Sequence, residues 1–100
     1  PVLRSHSISL NIEFTKKVNL KNIINALKEF KGIKVQDDLD PNLYPTPHDS
    51  SNIDDCIAGR IRIDYSQKNT ISLWVVGDQI RKGAALNAVQ IAEALRDKIR

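Results

Sequence analysis

The sequence predicts an α+β domain with helices packed on a mostly antiparallel sheet, in the order β-α-β-loop-β-β-α. Three observations support this class. Residues 6–14 alternate apolar and polar side chains as a half-buried strand does, and residues 20–30 carry apolar side chains at helical spacing. Two further strand-like runs, 57–65 and 70–78, have only a short connection between them and are expected to pair antiparallel.

Length and composition limit the classes of protein to consider. The chain has 100 residues, enough for one modest domain, and a net charge of +3. Its basic residues are scattered rather than gathered in one patch, which argues against a nucleic-acid binder. The lone cysteine, Cys56, excludes an internal disulfide and suits a reducing compartment.

The sequence shows neither a signal peptide nor an apolar run close to the about 18 residues of a membrane span. It starts at Pro1, contains no methionine, and enters its first strand almost at once. We therefore expect the chain to be a piece of a longer protein.

The first strand has a histidine at the head of its apolar stripe. His6 shares the parity of Ile8, Leu10, Ile12 and Phe14. A histidine near a strand end is usually a hydrogen-bonded structural residue. The alternative is a general acid/base, because an imidazole exchanges protons near neutral pH and a strand end is a rigid mount. The pattern alone leaves both interpretations open.

The first helix is predicted over residues 19–32. Its apolar stripe consists of Leu20, Ile23, Ile24, Leu27 and Phe30. Asn19 is the candidate N-cap, and Gly32 is the candidate residue just past the end. Ile33 and Val35 then predict a short strand.

Residues 37–55 form a long predicted connection, because Pro41, Pro45 and Pro47 each remove a backbone donor and disfavour helix just before them. A loop this long in a small domain is usually functional or interacting. Its acidic start lacks the glycine and the closing glutamate of an EF-hand calcium loop. We expect no metal site here, and a solvent-facing His48.

The two later strands differ in pattern. In the run 57–65, strict alternation predicts one face made of Ile57, Gly59, Ile61, Ile63 and Tyr65, and an opposite face made of Arg60, Arg62 and Asp64. The run 70–78 is apolar on both faces at its centre, which predicts a central strand. Cys56 is placed in the preceding polar loop as an inert thiol.

The last element is a helix predicted from about residue 80 to 99. Its stripe consists of Ala84, Ala85, Ala88, Ile91, Ala92, Leu95 and Ile99. The small residues at its start permit close approach of a ligand or backbone, and the bulkier second half resembles ordinary core. Its start is expected to present free N–H groups, with Asp78 as a candidate N-cap. Neither GxGxxG nor GxxxxGK[ST] is present.

Two segments together resemble a known family: LRSHSI, residues 3–8, and WVVGDQIRKGAALNAVQIAE, from Trp74 onward. With YPTP and GRIR between them, the chain is similar over nearly its whole length to the carboxyl-terminal part of aspartate-semialdehyde dehydrogenases. The resemblance implies part of a glyceraldehyde-3-phosphate-dehydrogenase-like C-terminal domain. Residues 1–78 would belong to the catalytic and dimerisation domain, and 79–100 would be a terminal helix packing toward a cofactor-binding domain outside this chain.

The resemblance also implies a function. Members of that family reduce L-aspartyl 4-phosphate to L-aspartate 4-semialdehyde with NADPH, or run the reverse with phosphate. They serve lysine, methionine, threonine and diaminopimelate biosynthesis as cytoplasmic homodimers. The expected cofactor is therefore NADP, and the expected partners are the small-molecule substrate and a second copy, with no nucleic acid, membrane or metal. The 100-residue chain alone is expected to be inactive, because the nucleophilic cysteine and most of the cofactor site lie outside it.

The motifs carry roles to particular residues. The resemblance makes His6 the acid/base residue that works with the absent cysteine. It places Gln79 against the nicotinamide-bearing cofactor, with Gly83 and Ala84 lining the same wall. Arg4 belongs to the motif, but the arginine that binds the substrate carboxylate falls just before this chain. Arg4 is therefore expected to be structural or paired with an acid.

Two other functions stay open on the sequence alone. A ferredoxin-like RNA-binding module would stack bases on Phe14, Tyr65 and Trp74 and use Arg60 and Arg62, although the RNP1 pattern is missing. A non-catalytic assembly domain is the third possibility.

Overall fold

The computed structural model of this chain describes residues 2–37 and 43–99. Pro41 and part of the acidic stretch compared with a calcium loop lie outside the described residues. The elements, in chain order, are strand β1 (His6–Glu13), helix α1 (Leu20–Glu29), strand β2 (Ile33–Val35), the short helix α2 (Pro47–Ser50), strand β3 (Cys56–Ile63), strand β4 (Thr70–Gly77), a wide turn (Arg81–Ala85) and helix α3 (Leu86–Ile99).

The strands of the described chain form one sheet in the order β1-β4-β3-β2. Strand β4 pairs antiparallel with both β1 and β3, whereas β2 pairs parallel with β3. The short connection between β3 and β4 suits an antiparallel pair, and the long segment before β3 supplies the crossover that a parallel pair needs. The predicted α+β class, the mostly antiparallel sheet and the central position of β4 are confirmed.

Helix α1 covers one face of the sheet. The Asn19 side chain accepts a hydrogen bond from the backbone N–H of Asn22 at 3.2 Å, which confirms the predicted N-cap. Its apolar side pads a core of Ala58, Ile61, Ile71 and Leu73. The helix ends at Glu29 with Phe30 as its C-cap, so Gly32, with φ +97°, lies two residues past the cap and not directly after it as predicted.

A β-bulge in β3 overturns the predicted faces of that strand. Gly59 pairs with Trp74 whereas Arg62 pairs with Ser72, so one extra residue is inserted between them, at Arg60 with φ +52°. The insertion switches the side of the sheet to which odd-numbered residues point. Ala58 and Ile61 therefore belong to the same core under α1, whereas Gly59 lies under Pro45.

The segment after residue 43 covers the other face of the sheet. Pro45 is buried, and its carbonyl accepts a 2.9 Å hydrogen bond from the Trp74 indole N–H. Helix α2 begins with a capping box, in which Thr46 and Asp49 bond each other's backbone N–H groups. His48 is exposed on this helix, as predicted.

Helix α3 departs from the predicted core role. None of its residues is buried, and Ile91 and Leu95 are each 53% exposed. The predicted continuous helix from residue 80 is also broken, because Ala84 has φ −133° and ψ −117° in the wide turn before it. Within the described part of the chain, the apolar stripe of this helix is therefore largely exposed.

No helix within residues 2–37 and 43–99 is long and apolar enough to cross a membrane.

A buried carboxylate joins the start of the chain to the end of β4. Asp78 is fully buried, and its Oδ2 accepts hydrogen bonds from Arg4 Nε at 2.8 Å and from the Asn52 backbone N–H at 2.7 Å. Its Oδ1 accepts from the Ile80 N–H at 3.0 Å. The expectation that Arg4 pairs with an acid is confirmed.

The surroundings of Asp78 act on its pKa in two directions. Burial raises the pKa, but the hydrogen bonds from Asn52 and Ile80 and the Arg4 guanidinium together outweigh it. The pKa of the folded carboxyl is therefore below its ordinary value, and ionised Asp78 stabilises the fold.

We predict that Gly59→Ala destabilises the chain by about 1–3 kcal/mol, because the added methyl would overlap Pro45 Cδ and lie 2.6 Å from the Gln36 carbonyl oxygen. Urea unfolding measures the change. Gly83→Ala is the matched control, because there the added Cβ would lie at an ordinary 3.6 Å from Gln79 Cβ. Equal midpoints for the two variants would contradict the close packing under Pro45.

We predict that the stability advantage of wild type over Asp78→Asn depends on pH. Because the folded pKa is lowered, the advantage is fully present above about pH 4, the ordinary pKa of aspartate, and is lost as pH falls through the lower folded pKa. Unfolding free energies measured across this range test it. Asp97→Asn, which breaks an exposed pair with adjacent Arg96, should change stability little at any pH. A constant gap between wild type and Asp78→Asn would contradict the assignment.

Candidate functional site

A cleft of about 310 Å³ lies at the edge of the sheet where β1 begins and β4 ends. We call it the His6 cleft. It is lined by His6, Ile8, Cys56, Val75, Val76, Gly77, Asp78, Gln79, Lys82, Gly83 and Asn87. Three of the residues that the sequence motifs singled out therefore lie around one opening. His6 comes from the start of the chain, and Gln79 and Gly83 come from the segment after β4.

The pairing of β1 with β4 places His6 at the cleft. His6 lies opposite Gly77, on the face of the sheet that α1 covers only further along. Both His6 and Ile8 are exposed, so the head of the apolar stripe is open rather than sealed in the core.

Gly77 keeps the floor of the cleft free of a side chain. A Cβ added at Gly77 would lie 3.1 Å from the Cys56 Sγ, closer than such contacts normally are. His6 and Cys56 flank this glycine from the two neighbouring strands, and two strand spacings separate them by roughly 10 Å. Because residue 77 is glycine, no side chain of β4 fills the space between His6 and Cys56.

The turn after β4 forms the opposite wall. The Asp78 carbonyl oxygen accepts hydrogen bonds from the N–H groups of Arg81, Lys82 and Gly83, at 3.2, 2.8 and 3.4 Å. The expectation of free N–H groups at this helix start is therefore wrong for these three residues. The wall instead offers the exposed side chain of Gln79 and the bare backbone of Gly83.

Ala84 lies just beyond this wall. It is exposed and is not part of the cleft lining, whereas the neighbouring Gly83 is. Of the residues carried over from the resemblance, the structure therefore brings together His6, Gln79 and Gly83 and leaves Ala84 beside them.

Cys56 is in the cleft and not in a polar loop as predicted. It is the first residue of β3 and is half-buried. Burial raises the pKa of its thiol, and the nearby Lys82 ammonium opposes this more weakly. A protonated thiol is a poor nucleophile, so this placement is consistent with the expected lack of reactivity.

Sequence reasoning missed Lys82 and Asn87 as lining residues. The Lys82 ammonium donates a hydrogen bond to the Gln90 side-chain oxygen, which holds it across the start of α3. Gly83 and Asn87 are four residues apart in the predicted helix, and this spacing was the available signal that they could lie on one side.

The chemistry available in the cleft is limited and specific. The imidazole can take up or release a proton, the Gln79 amide can both donate and accept a hydrogen bond, and Ile8 and Val75 give an apolar surround. In the ranges 2–37 and 43–99, no three His, Cys, Asp or Glu side chains converge as metal ligands would.

Comparison with known proteins identifies relatives of the chain. The family model described as "Semialdehyde dehydrogenase, dimerisation domain" matches residues 1–82. The aspartate-semialdehyde dehydrogenase of Synechocystis is 47% identical over 98 residues, which cover 98% of this chain and 29% of that protein. The enzyme of the same name from Prochlorococcus marinus is 50% identical over 95 residues, covering 95% and 28%.

Solved structures agree with these relatives. Aspartate semialdehyde dehydrogenase II from Vibrio cholerae, complexed with ASA, superposes with a TM-score of 0.83 at 36% identity, covering 96% of this chain and 28% of that one. A probable aspartate-semialdehyde dehydrogenase from Pseudomonas aeruginosa gives 0.81 at 35% identity, covering 94% and 28%. The expected glyceraldehyde-3-phosphate-dehydrogenase-like C-terminal fold is thereby confirmed.

The chain spans less than a third of the length of the relatives it matches. Within that span the family match covers residues 1–82, and the sequence and structural similarities run over nearly all of the chain. This chain belongs to the aspartate-semialdehyde dehydrogenase family.

Proposed function

We propose that a full-length protein containing this chain is an NADP-dependent, phosphorylating aspartate-semialdehyde dehydrogenase. It would reduce L-aspartyl 4-phosphate to L-aspartate 4-semialdehyde, with release of phosphate, in lysine, methionine, threonine and diaminopimelate biosynthesis. The observation that carries the proposal is that His6 and Gln79, chosen from motifs at opposite ends of the sequence, line one cleft. The names of the relatives supply the substrate class.

The residues of the cleft fit the nicotinamide end of the cofactor. A carboxamide needs both a hydrogen-bond donor and an acceptor, and the exposed Gln79 amide offers both. Gly83 presents no side chain, and even an added Cβ there would meet only Gln79 Cβ at 3.6 Å. The proposed cofactor surface extends past this wall to Ala84, whose small side chain next to Gly83 leaves the same approach open. The bound cofactor would supply the hydride.

His6 is the proposed acid/base residue. It is mounted at the end of a paired strand, which restricts its motion, and it faces an open cleft. In this role it holds the proton exchanged with the attacking sulfur, which a cysteine outside this chain would supply, and with the oxygen of the reacting carbonyl. Cys56 is assigned no part, because burial raises the pKa of its thiol.

The proposed assembly extends beyond this chain. The stripe of α3, with Ile91 and Leu95 half exposed, is a suitable surface for the cofactor-binding domain toward which residues 79–100 would pack. The dimerisation-domain match supports a homodimer built through the domain of residues 1–78. A cytoplasmic location follows from the proposed biosynthetic role.

The RNA-binding alternative is disfavoured by where the aromatic residues lie. Trp74 sits under the Pro45 segment with its indole N–H bonded, and Tyr65 is 93% exposed beyond the end of β3. Phe14 follows β1, on the edge of the sheet. Base stacking needs aromatic rings on one accessible sheet face, and these three do not form one.

We predict that His6→Asn in the full-length protein lowers kcat by about 10²–10⁴-fold, because a positioned acid/base contributes about that much. NADPH binding should be unchanged. The measurement is NADPH consumption with aspartyl phosphate, together with a separate cofactor titration. His48→Asn is the matched control, because His48 is exposed on α2 outside the cleft. A normal kcat for the His6 variant would remove His6 from the mechanism.

We predict that Gln79→Ala weakens NADPH binding by up to about tenfold, the effect of losing one hydrogen bond of about 0.5–1.5 kcal/mol. Fluorescence titration of NADPH in the full-length protein measures the dissociation constant. Gln67→Ala, an exposed position in the turn between β3 and β4, is the control. Equal affinity in wild type and the Gln79 variant would exclude the proposed contact.

A further inference from the structure

The Asp78 side chain accepts hydrogen bonds from several parts of the fold. Its side chain is fully buried although the next residue, Gln79, is exposed in the cleft wall. Burying a carboxylate costs free energy unless the group is paired and hydrogen-bonded. Removing such a carboxylate leaves its former partners uncompensated, which strongly destabilises the fold. Such a group fixes the relative positions of all the segments that donate to it.

The donors to Asp78 come from three separate parts of the fold. Arg4 precedes β1, Asn52 follows α2, and Ile80 lies in the turn after β4. The Asp78 carbonyl also accepts the backbone N–H groups of the wide turn, so the conformation of this cleft wall depends on Asp78 through its side chain and its backbone.

The residue between Arg4 and His6 has an unusual conformation. Ser5 has φ +78°, a region that is uncommon for residues other than glycine, and it is 5% exposed. Its hydroxyl lies 3.1 Å from the Ser51 hydroxyl, next to Asn52. The turn at Ser5 is therefore held on one side by the Arg4–Asp78 pair and on the other by Ser51. A strained residue of this kind persists only where its surroundings determine it.

We infer that Asp78 is a positioning residue of the His6 cleft, which sets the imidazole of His6 and the cofactor wall at Gln79 in fixed relation. It acts through Arg4 and Ser5 on one side of the cleft and through the wide turn on the other, and it touches neither substrate nor cofactor. The inference rests on the proposed function for its catalytic consequence, whereas the coupling itself is a property of this chain.

The kinetic test uses Asp78→Asn and Arg4→Gln in the full-length protein. Each should lower kcat by roughly tenfold to a hundredfold, because a displacement of about 1 Å from reacting geometry has effects of this size. KM for the acyl phosphate should stay within about twofold, as expected when an interaction matters in the transition state and not in substrate binding. Arg4→Lys, which keeps the charge, should recover part of the lost kcat.

The control removes an ion pair that touches neither Asp78 nor the cleft lining. Lys34 in β2 pairs with Asp55 at 3.6 Å, and the Lys34 side chain is 62% exposed. Lys34→Gln should leave kcat unchanged. A folded Asp78→Asn variant with wild-type kcat would overturn the inference, as would equal losses in the Lys34 variant. If Asp78→Asn does not fold, the Arg4→Gln variant alone tests the inference. In that variant Asp78 still accepts hydrogen bonds from the backbone N–H groups of Asn52 and Ile80.

A second measurement separates this inference from the proposed function. In the 100-residue chain, the NMR signals of the His6 ring and of the residue 79–83 amides should shift together in Arg4→Gln and stay in place in Lys34→Gln. Shifts confined to the vicinity of Arg4 would overturn the inference. A full-length wild type without dehydrogenase activity would refute the proposed function, and the NMR result would still decide the coupling.

Discussion

The buried Asp78 carboxylate is the constraint on which the site depends. The fold brings the start of β1 and the end of β4 side by side, but strand pairing alone leaves the residues before and after the ladder free to move. Charged and neutral donors from Arg4, Asn52 and Ile80 converge on Asp78, and the low-dielectric surroundings make each of these bonds costly to break. These hydrogen bonds hold the end of the sheet in place. That end carries the exposed side chains of His6 and Gln79, which can exchange a proton and form hydrogen bonds.

The sheet is covered unevenly, and this unevenness creates the cleft. Helix α1 pads the part of one face near Ile71 and Leu73, and the Pro45 segment closes the opposite face above Gly59. The remaining corner, around Gly77, has neither a side chain of its own nor a covering element within the described residues. Together with the exposed stripe of α3, this corner is where we expect the missing parts of the full-length protein to pack.

Much of this architecture could be predicted from the sequence, because periodicity reports directly which side of an element is buried. Strand β1, helix α1 with its Asn19 cap, and central β4 were all predicted. The faces of β3 were not, since an inserted residue at Arg60 leaves a pattern that still alternates in apolar and charged residues. The burial of Asp78 was missed for a related reason: an aspartate after a strand looks like an ordinary helix cap, and its distant donors are set only by the tertiary fold. The resemblance supplied the candidate site residues, and the structure added Cys56, Lys82 and Asn87 to the lining of the cleft.

The most direct measurement is a crystal structure of the full-length protein with NADP bound. We predict that the nicotinamide ring lies in the His6 cleft between the imidazole and the Gln79 amide, with the Arg4–Asp78 pair intact beneath it. A nicotinamide bound away from this cleft, or His6 turned from it with the pair unbroken, would contradict the proposed site.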